Sequence, residues 1–247
     1  MKFITTLILA TAITASAEVK VTVGDISDKR TTGKFFSGMD IELKLSGPEL
    51  AECKGLRVTV KDAKDDAGKA IKVQENRFNE GGFESPQKAF GGFNSGDKKD
   101  ELQSKVELEN PARTAKSITL EGTVELIIPS KDPAAVVTVD VAKEAGKPLA
   151  NEALKAAGVN LTFQAVKDGQ GQYTITDPKK RVAFVEYCSA DGKPLETSGG
   201  MSSGFNGKKD VTVNLNKAGA GTVAKVFLVT DKSILSVPVK LSGVTLP

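Results

Sequence analysis

The sequence predicts an all-β protein built from two tandem antiparallel β-sandwiches, with one short helix in the second. Three observations support this fold class. Short runs of alternating apolar and polar residues recur along the chain, turn-forming residues separate them, and landmarks of the first half return in the same order in the second. Many short strands with Gly, Asp, Asn and Pro between them are typical of sandwiches and barrels.

The first 17 residues have the pattern of a cleavable export signal. Lys2 gives a positive start, residues 3–13 are mostly apolar, and Ala15-Ser16-Ala17 is a small-x-small cleavage site. The mature chain is therefore expected to begin at Glu18 and to lie in the periplasm or outside the cell. The apolar run is shorter than the roughly 20 residues that a spanning helix needs, so no membrane span is predicted.

The mature sequence alternates most clearly at 39–45, where Met39, Ile41 and Leu43 fall on one face of a half-buried strand. Residues 152–157 form the one helical segment, with Asn151 as its N-cap and Gly158 as its end. The predicted strands are 18–26, 39–45, 56–60, 102–108, 118–128, 136–141, 159–163, 181–187, 211–215, 223–230 and 234–241.

Four sequence landmarks indicate an internal repeat. Together with the signal peptide (1–17), the repeat divides the chain into module 1 (18–131) and module 2 (132–247). Pro129 and Pro238 fall in the terminal strand run of each copy, and proline cannot donate to a ladder, so both runs are expected at a sheet edge or a bulge. The matched landmarks are 66–71 with 191–195, 92–100 with 204–210, Ala115-Lys116 with Ala224-Lys225, and Ile128-Pro129 with Val237-Pro238.

The first copy carries an insertion at 76–92 in which glycines surround aromatic residues. Loops often carry binding residues, so this segment is a candidate partner-binding loop. The alternative is a long hairpin whose phenylalanines fold back onto the sandwich, since phenylalanine is usually buried. The candidate binding residues are Phe78, Phe83, Phe90 and Phe93.

The charge balance gives no sign of a nucleic-acid partner. Removing residues 1–17 takes away one lysine and no acid, so the net charge falls from +3 to +2. The basic residues are interspersed with acidic ones along the sequence, which is typical of a mixed surface. Two lysine pairs recur in the repeat, Lys98-Lys99 and Lys208-Lys209. They are expected to protect a strand edge or, alternatively, to face an acidic partner.

The residue types needed for most catalytic chemistry are missing. The chain has no histidine, which excludes Ser-His-Asp and Cys-His catalysis and the usual zinc sites. We therefore predict no enzyme activity, no cofactor and no metal site. Calcium is left open at two acidic turns, one with Asp62, Asp65 and Asp66 and one around Asp97 and Asp100. The alternative there is Asp side chains that bond their own backbone.

Two cysteines, Cys53 and Cys188, lie one in each predicted module. An exported protein meets an oxidising compartment, which favours a disulfide. The two residues fall near opposite ends of related strands, however, and bonding requires their Cα atoms within about 7 Å. The sequence leaves open whether they are bonded.

On these residues and landmarks, the chain resembles secreted bacterial proteins with tandem immunoglobulin-like modules, each of about 100 residues. The resemblance implies a non-catalytic binding or structural role with another envelope or extracellular protein. A periplasmic pilus chaperone is one alternative, since 118–128 is similar to the alternating strand that those proteins donate. A carbohydrate-binding or glycoside-cleaving sandwich is another, although the chain has no Trp and two Tyr. The sequence does not predict an oligomeric state.

Overall fold

The structure, a computed structural model, describes residues 19–31, 37–74, 82–84, 100–205 and 207–247. The predicted signal peptide and three of the candidate phenylalanines, Phe78, Phe90 and Phe93, lie outside these ranges. The strands are β1 (Lys20–Lys29), β2 (Gly38–Ser46), β3 (Gly55–Asp65), β4 (Glu101–Leu108), β5 (Ser117–Ile127), β6 (Val136–Asp140), β7 (Asn160–Phe163), β8 (Gln170–Thr176), β9 (Val182–Cys188), β10 (Thr197–Phe205), β11 (Lys208–Leu215), β12 (Val223–Leu228) and β13 (Ile234–Thr245).

The strands form four sheets in which all neighbours are antiparallel. The strand orders are β1-β2-β4, β13-β5-β3, β6-β12-β9 and β10-β11-β8-β7. The predicted mostly-β, antiparallel character is confirmed. The finer assignment to two immunoglobulin-like sandwiches stays a prediction.

Two separate hydrophobic clusters form the cores. The first core combines residues of β1-β2-β4 with residues of β13-β5-β3, such as Leu43, Leu120 and Val239. The second core combines β6-β12-β9 with β10-β11-β8-β7, for example Val226, Leu161 and Phe163. In β2 the alternate residues are buried and the others reach solvent, because successive side chains of a strand point to opposite faces.

The predicted helix is confirmed and lies over the second core as α2 (Glu152–Ala157). The Asn151 side chain accepts hydrogen bonds from the amides of Ala153 and Leu154, and Gly158 ends the helix in the left-handed region at a φ of 73°. A further one-turn helix, α1 (Val141–Glu144), was not predicted. It follows β6 directly, and the Asp140 carboxylate caps it by accepting from the Lys143 amide.

Strands β8 and β10 were also missed, because their sequences lack the alternating pattern. In β8 a glycine takes the place of an inward-facing apolar residue, since the ring of Tyr187 occupies the space above Gly171. Strand β10 is exposed along its whole length, so no apolar face marks it in the sequence.

The last strand completes the sheet of the first core. The sequence places β13 in module 2, whereas the structure pairs it with β5 from Ile234 opposite Ile127 to Thr245 opposite Ser117. Pro238 lies in this edge strand, as predicted from its missing donor. Pro129 differs, because β5 ends at Ile127 and Pro129 opens a 3-10 turn.

The chain therefore crosses between the two cores twice, and the crossings touch. The first runs from β5 to β6 and the second from β12 to β13. The Ile128 amide donates to the Ser233 carbonyl at 2.8 Å, and the Thr230 hydroxyl donates to the Asp132 carboxylate at 2.6 Å. Residues 136–228 are thus inserted, in topological terms, between two neighbouring strands of the first core.

Two turns that the repeat pairs with each other have the same hydrogen bonds. After β3, the Asp65 amide donates to Lys69 and the Gly68 amide to Asp65. After β9, the Ser189 amide donates to Lys193 and the Gly192 amide to Ser189. Gly68 and Gly192 have φ values of 78° and 80°, a region that favours glycine.

Candidate functional site

Phe83 is the one candidate binding residue within the described ranges, and it packs against the edge of β3. The neighbouring Glu84 exchanges two backbone hydrogen bonds with Leu56, at 2.7 and 2.9 Å. The Arg57 guanidinium lies 4.5 Å from the centre of the Phe83 ring, and Arg57 also pairs with Glu125 at 2.7 Å. Phe83 is half-buried in this contact, as expected from the folded-back alternative for this residue.

The contact at Phe83 lies beside the junction of the two cores. A Cβ placed on Gly55 would lie 3.3 Å from the Phe83 Cβ and 3.7 Å from the Ala183 Cβ of the second core. The other predicted phenylalanines lie outside the described residues, so the structure joins none of them to Phe83.

A charged and aromatic cluster fastens the junction itself. Lys54 Nζ donates to Glu186 Oε1 at 2.7 Å and lies 5.7 Å from the centre of the Phe227 ring. The Phe227 ring stacks on Phe184 at a centroid distance of 6.4 Å. The side chains of Lys54 and Glu186 are only 31% and 13% exposed, so water screens their attraction less than at an open surface.

Cys53 and Cys188 flank this ion pair as free, buried thiols. Cys53 precedes Lys54, and its thiol donates to the Gly55 carbonyl at 3.2 Å. Burial raises the pKa of Cys53 to about 11. The pKa of Cys188 is raised as well, by burial and by the nearby Glu186 carboxylate. Because the thiolate is the reactive form, neither thiol is prepared to act as a nucleophile.

In the acidic turn that was considered as a calcium site, the three carboxylates already have hydrogen-bond or ion-pair partners within the chain. Asp65 is 6% exposed and accepts from the amides of Ala67 and Lys69. Asp62 pairs with Lys64 at 2.6 Å, and Asp66 accepts from the Lys116 amide at 3.3 Å. Among the residues with described positions, no group of three or more potential ligands surrounds a common point. The second acidic turn includes Asp97, which lies outside them.

Of the two tyrosines, Tyr187 lies inside the second core and Tyr173 is partly buried against it. Tyr187 is 2% exposed and meets Phe163 edge-on at a centroid distance of 5.9 Å. Burial raises the pKa of Tyr173 to about 12. Neither tyrosine presents the exposed aromatic face that sugar-binding sites commonly use.

Strand β10 is the most open element of the described structure. All nine of its residues are exposed, it contains no charged residue and no proline, and it lies at the end of its sheet. Two apolar side chains protrude from it, Met201 at 73% and Phe205 at 82% exposure. Edge strands of natural proteins usually carry charges or proline that prevent pairing, and β10 has neither.

The expected role of Lys208-Lys209 in edge protection is wrong. These residues begin β11, which lies between β10 and β8 and is not an edge strand. The corresponding pair Lys98-Lys99 lies outside the described residues.

Comparison with known proteins gives no family for this chain. No protein-family model matches it, and no curated protein matches it significantly. No helix in the described part of the chain is both long enough and apolar enough to cross a membrane.

Proposed function

We propose that this chain is an exported, non-catalytic protein that binds another envelope or extracellular protein by accepting one of its strands at the edge of β10. The observation that carries the proposal is the open, uncharged edge of β10, whose pairing with β11 is regular from Gly200 to Phe205. Strand addition uses main-chain hydrogen bonds for affinity and side chains on one face for specificity. Met201 and Phe205 provide that apolar face.

The free edge can be assigned to particular residues. Phe205 is opposite Lys208, and only two residues connect them, so this pair closes the hairpin with hydrogen bonds. Bonded and non-bonded pairs alternate along an antiparallel ladder. Ser202, opposite Val211, therefore belongs to a non-bonded pair, and its N–H points away from β11 towards an incoming strand.

The two-module architecture is part of the same proposal: two immunoglobulin-like modules that arose by duplication. Support comes from the matched turns after β3 and β9, and from the strand orders. The order β1-β2-β4 corresponds to β7-β8-β11, and β13-β5-β3 corresponds to β6-β12-β9. The two cores differ in the position of one strand along the chain. Next to the central strand β5 lies β13, the last strand of the chain, whereas the corresponding neighbour of β12 is β6, the first strand of the second core.

The non-catalytic role is supported by the sequence and by the thiols. The chain has no histidine. Burial raises the pKa of both cysteines, to about 11 at Cys53, so both thiols are protonated near neutral pH. Export rests on the N-terminal signal pattern alone.

Two variants of one residue test the edge. Ser202→Pro removes the outward N–H, whereas Ser202→Ala removes the side chain and keeps that donor. In affinity capture from envelope extracts, we expect the proline variant to recover a specific partner about tenfold less well or worse, and the alanine variant to match the unsubstituted protein. Circular dichroism and thermal unfolding confirm that both variants fold.

Equal recovery with both variants would disprove strand addition at β10. A glycan array and a glycoside hydrolysis screen test the carbohydrate alternative, because only that function gives a saccharide hit. If the captured partner is an incomplete β-sandwich subunit, the alternative role of this chain as a pilus-type chaperone is favoured.

A further inference from the structure

Two turns at one end of the second core bring together basic residues that are far apart in the sequence. Lys179, Lys180 and Arg181 follow β8, and Lys208 and Lys209 begin β11. The Asp177 amide donates to the Gly207 carbonyl at 2.8 Å, and a Cβ on Gly207 would lie 3.0 Å from the Pro178 Cα. We call this group, together with Phe205, the basic tip.

The cations of the basic tip are open to solvent. Lys179, Lys180, Arg181 and Lys208 are all exposed, and no carboxylate among the described residues pairs with any of them. Two acidic residues adjoin the cations in sequence, and their carboxylates accept other hydrogen bonds. Asp177 accepts from the amides of Arg181 and Val182, and Asp210 accepts from the Thr174 hydroxyl at 2.6 Å.

The turn that carries three of these cations is held in place by Asp177. The Lys180 amide donates to the Asp177 carbonyl at 3.2 Å, and both Asp177 carboxylate oxygens accept from the next two amides. Pro178 fixes the backbone at the second position of the turn. The cations are therefore presented from a fixed backbone.

Phe205 adds an apolar group to the same end. It is opposite Lys208 in the register of β10 and β11, so the two side chains lie on one face of the sheet. At 82% exposure it is the most exposed large hydrophobic residue of the described structure. An exposed phenylalanine beside several cations has no role in a purely ionic contact.

We infer that the basic tip docks on the surface of an anionic phospholipid bilayer. Cations reach lipid phosphates at the headgroup level, while an aromatic side chain enters the boundary between headgroups and acyl chains. These groups lie in or beside two turns that contact each other at one end of a sheet, so one surface can meet several of them at once. The inference goes beyond the proposed function, because it depends on the cations of the basic tip and not on the main-chain edge at Ser202. The two proposals share only Phe205, which ends β10.

A single tryptophan reports on this contact. The chain has no Trp, so Phe205→Trp introduces a unique fluorophore at the tip, and Val73→Trp does the same at another exposed apolar site. With vesicles of phosphatidylglycerol and phosphatidylcholine, we expect a blue shift and quenching by spin-labelled lipids for Phe205→Trp. We expect neither for Val73→Trp, nor for either variant with vesicles of phosphatidylcholine alone.

Charge-neutral variants test the cations. In the Phe205→Trp background, Lys179→Gln with Lys180→Gln is expected to weaken vesicle binding roughly 25-fold at low salt, at about fivefold for each cation. The control pair Lys69→Gln with Lys116→Gln makes the same charge change at exposed positions beside β3 and β5 of the first core, and it is expected to leave binding unchanged.

Three results would overturn the inference. The first is no binding to anionic vesicles, and the second is an equal loss in the tip and control variants. The third is binding of Phe205→Trp to soluble polyglutamate but not to vesicles, which would make an acidic protein segment the partner. Since Ser202→Pro leaves every cation in place, failure of strand addition and failure of lipid docking are separate outcomes.

Discussion

Gly171 and Tyr187 form a complementary pair inside the second core. A Cβ at Gly171 would lie 2.5 Å from Cζ of the Tyr187 ring, far below a van der Waals contact. We expect Gly171→Ala to lower the free energy of unfolding by roughly 1–3 kcal/mol, because the ring cannot move without disturbing Phe163. Denaturant unfolding measures the change.

Gly219→Ala is the matched control for this substitution. No atom lies within 4 Å of a Cβ at Gly219, so we expect a change of at most about 0.5 kcal/mol. Equal losses in the two variants would show that the Tyr187 ring does not define the site. This pair could not be predicted from the sequence, because a lone glycine in a polar run is typical of a turn.

Cys53 makes stability depend on pH in the alkaline range. Its pKa is 9.0 when exposed and about 11 in the folded protein, so the folded state favours the protonated thiol. The resulting stabilisation is complete below about pH 9 and is lost as the pH rises towards 11, to a total of roughly 2–3 kcal/mol. Unfolding in denaturant across this range should show the decline.

The variant Cys53→Ala separates this effect from other alkaline titrations. Its stability is lower at neutral pH, yet its decline between pH 9 and 11 is expected to be shallower. Tyr173, whose pKa is raised from 10.0 to about 12, contributes at higher pH in both proteins. An identical slope in the two proteins would mean that Cys53 does not carry the dependence.

At the scale of elements, β13 stabilises the core that it does not adjoin in sequence. Val239 is 4% exposed within the first core, and β13 pairs with β5 along its length. Removing residues 234–247 is expected to expose β5 and to lower amide protection in β3 and β5, while β8 and β11 keep theirs. Hydrogen exchange with peptide resolution measures both regions in one sample.

Loss of protection confined to β8 and β11 would contradict this assignment. The alternation at 234–241 correctly predicted a strand, but alternation identifies the buried face of a strand and not the sheet that it joins. Both cores present a central strand with a similar apolar face, β5 and β12. Whether β13 pairs with β5 or with β12 depends on the short connection at 229–233, and the hydrophobic pattern does not encode the geometry of that connection.

Neither the basic tip nor strand β10 could be predicted from the sequence. Lys208-Lys209 was visible as a pair, but its neighbours Lys179 and Lys180 come from a turn more than 25 residues earlier. Only the pairing of β8 with β11 brings the two turns together. Strand β10 could not be predicted for a different reason. Both of its faces are exposed, so its sequence does not alternate between apolar and polar residues.

For the whole molecule, the Lys54–Glu186 pair couples the two cores. We expect Lys54→Ala to lower the free energy of unfolding by about 1–2 kcal/mol, because it removes a shielded ion pair and a cation–π contact. We also expect the single unfolding transition to broaden as the cores begin to unfold separately. Calorimetry compares the van't Hoff and calorimetric enthalpies.

Lys240→Ala is the matched control for Lys54→Ala. Lys240 pairs with Glu121 at 2.8 Å, but its side chain is 73% exposed and the pair lies on one sheet of the first core. We expect a single sharp transition and a small effect on stability. Equal broadening in both variants would show that Lys54 has no special part in joining the cores.

The adjacent chain crossings have an evolutionary consequence. Ile127 and Ile234 are direct partners across β5 and β13, so a short hairpin loop could replace the intervening segment without moving either strand. A gene that acquired or lost residues 128–233 in one step would still encode every strand of the first core. A protein with one core could therefore gain or lose the second core in one step, without any change to the packing of the first.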